Sequence, residues 1–133
     1  IGELGDYDSA SVILTTPSGR QCIISNSRRA SYGYDQRIEV HGSLGAVSAE
    51  NQRPVSIEIA SSDGYNRPPL HDFFMTRYTA AYAAEIASFI DALATGKAPH
   101  PSAEDGLQAL ALAEAALRSA REGRTVKVAE VLG

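Results

Sequence analysis

Between Asn26 and Gly45 the chain reads Asn-Ser-Arg-Arg-Ala-Ser-Tyr-Gly-Tyr-Asp-Gln-Arg-Ile-Glu-Val-His-Gly-Ser-Leu-Gly. Asn26, Arg28, Tyr32, Tyr34, Asp35 and Arg37 fall within its first 12 residues. A polyol presents hydroxyls that donate and accept at once, and holding one takes this mixture of phenol, guanidinium, carboxamide and carboxylate, converging from fixed backbone. By composition alone, a polar loop with two tyrosines is more often a solvated connection than a ligand site. Spaced two apart, Tyr32 and Tyr34 would share a face in extended chain but need not in a loop.

No catalytic residue, cofactor-binding residue or metal ligand emerges elsewhere. His41, His71 and His100 stand at no metal-ligand spacing with another His, Cys or carboxylate pair, so surface histidines are expected. His71, beside Asp72 and ahead of Phe73-Phe74, has the best claim to face a site. Glu50, Glu58 and Asp63 lack the spacing of a glycosidase pair, and no Gly-x-Ser-x-Gly elbow occurs. Nor does Gly-x-Gly-x-x-Gly with an acidic residue about twenty positions on, the fingerprint of a dinucleotide cradle.

The elements that must position the loop change character near residue 73, from β-branched residues with glycine turns to alanine and leucine. Ser11–Thr16 and Gln21–Ser25 flank Pro17-Ser-Gly19, which predicts a hairpin. Arg37–His41 alternates, with Ile38 and Val40 on one face, and Gly42–Gly45 turns it into Ala46–Ala49. Val55, Ile57 and Ile59 alternate again; Ser61–Asp72, with Gly64, Pro68 and Pro69, reads as an irregular connection. From Phe74 the apolar period becomes helical through Leu93, with Gly96 as stop and Phe74, Met75 and Tyr78 as core anchors; Arg77 is free to reach a substrate or a neighbouring subunit. Ser102 and Asp105 form a capping-box start for a second helix ending at Gly123. Thr125–Ala129 predicts a short edge strand.

The expected fold is α+β: a largely antiparallel twisted sheet of about five strands with two helices on one face, a two-layer arrangement. The open sheet face would be covered by self-association, giving a homodimer or homotetramer. The 133 residues fit one domain, residues 1–133. At 44% hydrophobic and 21% charged the composition is that of an ordinary soluble protein. A net charge of -4 leaves no basic surplus for nucleic acid or anionic membrane. The single cysteine, Cys22, excludes an internal disulfide and suits a reducing cytoplasm; inside an apolar run it reads as a buried core residue. Ile1 opens the chain with neither a signal segment nor a methionine, so a cut end is expected.

Four segments, Gly5–Asp8, the tyrosine loop, Phe73–Tyr78 and Ser102–Leu107 with the alanine-rich helix after it, resemble the C-terminal half of the glucose-fructose oxidoreductase / inositol dehydrogenase family. The loop resembles above all its inositol 2-dehydrogenases. The resemblance implies a substrate-binding and oligomerisation domain of an NAD-dependent enzyme that oxidises a ring hydroxyl of myo-inositol to a ketone. It further implies that Tyr32 or Tyr34 contacts the polyol, with Asn26, Arg28 and Asp35 of the loop's polar inventory as the accompanying candidates, while NAD and the proton-abstracting groups belong to an N-terminal domain ahead of Ile1. On that basis residues 1–133 alone would be catalytically silent. Another sugar or polyol dehydrogenase of the same family, or a non-catalytic oligomerisation module, are the alternatives. His41 and Leu44 depart from the family's pattern without touching the loop.

Overall fold

The computed structural model describes residues 1–133, which divide into two compact units, 1–83 and 84–133. The first unit is built from hairpins. β1 (Ser9–Thr15) and β2 (Gln21–Ser27) pair antiparallel with Ile13 opposite Ile23 and Leu14 opposite Cys22. Their turn closes through Gly19 N–H donating to Thr16 O at 2.9 Å, with Gly19 at φ +82°, a conformation glycine adopts at little cost. β3 (Ile38–Gly42) and β4 (Gly45–Ala49) pair so that Ile38, Val40, Val47 and Ala49 share one face, leaving Glu39, His41 and Ser48 on the other. β5 (Ile59–Ser61) and β6 (Gly64–Asn66) form a third, tighter hairpin.

The architecture is α+β and antiparallel, as the sequence predicts, but the strand arrangement differs from one sheet of about five strands. Six strands form three separate two-stranded sheets. The alternating run Val55–Ile59 contributes only Ile59 to a strand. Pro54 at its head has no N–H for a ladder, and the adjacent Arg53 guanidinium is engaged by the Pro68 carbonyl. The Ser61–Asp72 connection is not wholly irregular: Ser62-Asp63 makes the β5–β6 turn, and Gly64 opens β6 at φ +106°. Cys22 is exposed rather than buried, although Leu14 opposite it on the same face is half-buried.

The predicted first helix is two pieces, α1 (Phe74–Arg77) and α2 (Thr79–Thr95). Tyr78 between them sits at φ -108°, ψ 11°, which interrupts the regular backbone. Of the three expected core anchors, Phe74 and Tyr78 are half-buried and Met75 is exposed. In the first unit Leu70 is the one apolar side chain classed as buried, at 8% exposure.

In the second unit, α2 stops where Gly96 turns left-handed at φ +68°. The capping box forms as read: Asp105 N–H donates to Ser102 Oγ at 3.2 Å, and Ser102 N–H to Asp105 Oδ2 at 2.7 Å. It opens α3 (Ala103–Glu122), which buries Ala111 and Ala115 and ends at left-handed Gly123. The expected strand at Thr125–Ala129 is instead the approach to a short α4 (Ala129–Leu132). A charged clasp explains the difference. Arg124 pairs with Glu122 at 2.6 Å and with Glu130 at 2.9 Å, Arg118 pairs with Glu122 at 2.6 Å, and Lys127 N–H donates to Glu130 at 2.9 Å. A backbone held by these side chains has no use for a strand partner.

The clasp is expected to make the C-terminus acid-sensitive. Arg124 first, and then the Lys127 amide, hold the Glu130 carboxyl down to about 2 from 4.5. A depressed folded pKa contributes stability that is fully present above 4.5 and is lost as pH falls toward about 2. Glu130→Gln is therefore expected to flatten the acid dependence of hydrogen exchange at the Lys127 amide across that window. An acid profile unchanged by the substitution would show that the clasp does not hold α4.

Candidate functional site

The tyrosine loop runs from the end of β2 to the start of β3, and two other irregular segments, 50–53 and 68–72, are tied to it. Tyr34 N–H donates to His71 O at 2.7 Å, and His71 N–H donates to Gln52 O at 3.3 Å. Gly33 makes this approach achievable. Its φ is +119°, and a Cβ added there would lie 2.7 Å from Leu70 Cβ and 3.0 Å from His71 O. Only hydrogen fits in that space, and Leu70 is covered as a result.

Asp35 lies at the centre of the side chains on this frame. Its Oδ1 accepts from Arg37 Nε at 2.8 Å and from Asn51 Nδ2 at 2.7 Å. Its Oδ2 accepts from Arg37 Nη2 at 3.0 Å and from the Tyr32 hydroxyl. Arg37 therefore grips the carboxylate with a two-pronged fork, the geometry that makes guanidinium–carboxylate pairs specific. These bonds hold the Asp35 carboxyl well below the usual carboxylate range, with Arg37 the largest cause, Tyr32 next and Asn51 third. The Tyr32 phenol is pushed up by the same contact with Asp35. The Asp35 side chain is 17% exposed whereas Arg37 is 61% exposed, so the carboxylate sits inside the cluster and the guanidinium faces out.

The two tyrosines take different surroundings. Tyr32 is exposed, its hydroxyl spent as a donor to Asp35 and its oxygen still able to accept. Tyr34 is half-buried and meets the Tyr78 ring edge-on at 5.7 Å; Tyr78 in turn meets Tyr82 at 6.2 Å. Burial, and then the neighbouring Tyr34 phenol, raise the Tyr78 pKa. The Arg77 guanidinium lies 5.2 Å over the Tyr78 ring, so it is directed at an aromatic face of its own chain.

Of the sequence-predicted contacts, Tyr32, Tyr34 and Asp35 come together on one braced loop. Arg28 and Asn26 take no part in the hydrogen bonds around Asp35. Arg28 pairs with Asp6 at 3.0 Å and its N–H donates to Asp8 O at 2.9 Å, which ties the start of the loop to the residues before β1. Asn26 stands exposed on β2 opposite Ala10. His71 contributes its backbone to the loop, His41 pairs with Glu39 at 2.8 Å, and His100 lies 3.9 Å from Asp105. No group of three or more His, Cys, Asp or Glu side chains converges as a metal cage. Sequence reasoning missed Asn51, which lies 15 residues from Gln36 and 16 from Asp35 along the chain.

The positive-φ glycines occupy tight turns, the tyrosine loop, helix C-caps and the C-terminus; none opens a helix after a strand. The loop presents an exposed phenol and an exposed guanidinium side by side on one carboxylate.

Comparison with known sequences decides the kinship of this arrangement. The sequence model of the oxidoreductase family, C-terminal alpha/beta domain, matches residues 2–128. The chain belongs to this oxidoreductase family. Within the family, the inositol 2-dehydrogenase of Rhizobium meliloti is 72% identical over 129 residues, covering 97% of this chain and 39% of the relative. The myo-inositol 2-dehydrogenase of Thermotoga maritima is 44% identical over 133 residues, covering all of this chain and 40% of the relative. A crystal structure of a myo-inositol dehydrogenase from Corynebacterium glutamicum superposes with a TM-score of 0.89 at 44% identity, over 94% of this chain and 38% of that one. The chain thus spans about two fifths of the length of the curated relatives it matches. No helix is long and apolar enough to cross a membrane.

Proposed function

We propose that residues 1–133 form the substrate-contacting and assembly part of an NAD-dependent inositol 2-dehydrogenase, an enzyme that oxidises a ring hydroxyl of myo-inositol to a ketone. The observation that carries this reading is the braced loop, where Tyr32, Asp35 and Arg37 lock one another in place and still present a phenol oxygen and a guanidinium to the outside. Preformed donors and acceptors suit a ring of hydroxyls, because the polyol then meets groups whose ordering is already complete. The names of the 72% and 44% identical relatives support the substrate class.

By this reading the hydride acceptor sits in a part of the polypeptide outside residues 1–133, since the relatives extend well beyond the two fifths of their length matched here. The base that takes the hydroxyl proton is assigned there too by this reading. What these residues contribute is binding and orientation. They act in the cytoplasm by this reading, and without their partner domain they turn nothing over.

Self-association through the hairpin faces belongs to the same proposal, with a homodimer or homotetramer as the working form. Ile13 and Ile23 lie opposite each other and are 68% and 70% exposed; Val40 and Val47 likewise at 59% and 73%. The chain exposes 11144 Å². Even two wholly separate globules of these lengths would expose only about 8000 Å². So much uncovered surface, with these isoleucines and valines on it, calls for a partner, and sedimentation showing a strict monomer at high concentration would count against it.

Calorimetric titration of the complete enzyme, with NAD+ present, tests the substrate role. Myo-inositol is expected to bind tighter than glucose, and Tyr32→Phe and Tyr34→Phe are each expected to weaken it about 3- to 10-fold, the range of one lost hydrogen bond. Unchanged binding and turnover in both variants would remove the loop from the substrate site.

A further inference from the structure

Asn51 lies outside every strand and helix, between β4 and β5, yet both ends of its carboxamide are committed to the tyrosine loop. Its Oδ1 accepts from the Gln36 backbone N–H at 2.8 Å, and its Nδ2 donates to Asp35 Oδ1 at 2.7 Å. The orientation is forced: a backbone N–H can only donate and an ionised carboxylate can only accept, so oxygen must face Gln36 and nitrogen must face Asp35. No other single side chain of this size does both.

Asp35 itself is saturated. Two prongs of Arg37, the Tyr32 hydroxyl and Asn51 fill its two oxygens, and little of the side chain is exposed. A carboxylate so occupied is poorly placed to receive a substrate hydroxyl as well. Its evident work is to fix Tyr32 and Arg37, and Asn51 in turn fixes it.

We propose that Asn51 is a positioning residue of the polyol site, acting through Asp35 to hold the Tyr32 phenol and the Arg37 guanidinium at the spacing the substrate meets. The inference rests on the reading of this loop as the polyol site and moves Asp35 from substrate contact to support. The brace is closed on its other side as well. Gln52, next to Asn51, receives the His71 N–H, and His71 O receives the Tyr34 N–H, so one short segment anchors the loop through side chain and backbone together. A residue that acts only through another affects where the contacts stand, without touching the substrate itself.

The test uses the complete enzyme with NAD+ and myo-inositol and four variants: Asn51→Asp, Asn51→Ala, Asp35→Asn and the double exchange Asn51→Asp/Asp35→Asn. In Asn51→Asp a second carboxylate faces Asp35, so the KM for myo-inositol is expected to rise at least 10-fold while kcat stays within about 3-fold of wild type. In the double exchange the carboxamide and carboxylate swap places and one Nδ2–H···O bond is restored. At least half of the lost affinity, on a logarithmic scale, is expected to return, although Arg37 loses its charged fork partner. Asn51→Ala is expected to speed hydrogen exchange at the Gln36 amide at least 10-fold without moving exchange in α3.

An unchanged KM in Asn51→Asp would overturn the proposal. So would equal losses in KM, kcat and melting temperature with no recovery in the double exchange, since that is the pattern of a residue needed only for folding. If wild-type enzyme neither binds nor oxidises myo-inositol, the substrate reading fails separately, and exchange at Gln36 in Asn51→Ala still decides whether Asn51 holds the loop.

Discussion

Gly33→Ala is expected to cut myo-inositol turnover by the complete enzyme on the order of 100-fold, with exchange protection lost at the Tyr34 amide. The added methyl would begin 2.7 Å from Leu70 Cβ and 3.0 Å from His71 O, both on fixed main chain or its first carbon, so neither can swing aside. The backbone at φ +119° adds a second cost, since L-residues rarely occupy that region. Together the clash and the strain amount to about 3 kcal/mol against the observed loop position. The loop escapes by lifting off the 68–72 segment, which breaks the Tyr34 N–H to His71 O bond and carries Tyr32 and Tyr34 with it. A displacement of about 1 Å in positioning groups is enough to cost two orders of magnitude in rate. Wild-type kinetics in Gly33→Ala would mean that the loop's position is irrelevant to catalysis.

The second large effect comes from the other side of the same contact. Leu70 is 8% exposed and is the single buried apolar side chain of residues 1–83, so the packing beneath the tyrosine loop depends on it more than on any strand residue. Leu70→Ala removes the isopropyl end and leaves a gap that the prolines at 68 and 69 keep from closing. A loss of about 2 kcal/mol is expected, the low end for a buried leucine because the site lies near the surface. The measurement is hydrogen exchange at Tyr34 and His71 in the complete enzyme, where both amides are expected to exchange about 30-fold faster while β1 and β2 keep their rates. Equal acceleration throughout residues 1–83 would instead make Leu70 a global core residue with no particular link to the loop.

Much of this frame is legible in the sequence because it is local. Pro17-Ser-Gly19 lies at the first hairpin turn and Gly42–Gly45 at the second; Ser102 and Asp105, three apart, meet their own backbone; Gly96 and Gly123 end helices as left-handed residues. Each is decided by neighbours within about four positions, where residue type and spacing carry the physics directly. The Ser62-Asp63 turn before Gly64 is equally local, but Pro68 and Pro69 close by give the stretch the look of an irregular loop, and a three-residue strand is too short to show alternation.

What was not legible depends on distant partners. Alternation at Val55, Ile57 and Ile59 signals a strand, yet pairing needs a neighbour in register and only Ile59 has one. Thr125–Ala129 carries the same signal and loses to Glu130, whose carboxylate captures Arg124 and the Lys127 amide. Cys22 reads as core from its apolar neighbours, but burial requires something to lie over the hairpin. At the site, the residue types of the loop announce a polar cluster, whereas the choice of Asn51 as its anchor is set by a contact across 16 positions that no local pattern encodes. The difference between Tyr32 and Tyr34 has the same origin, since Tyr34 turns toward Tyr78, 44 residues further on.

The most direct measurement is a crystal structure of the complete enzyme with NAD+ and myo-inositol bound. Ring hydroxyls of the polyol are expected within hydrogen-bonding distance of the Tyr32 or Tyr34 phenol, with Asp35 still enclosed by Arg37, Tyr32 and Asn51. A polyol seated away from residues 32–37, with the loop facing only solvent, would contradict the assignment of this chain as the wall of the substrate site.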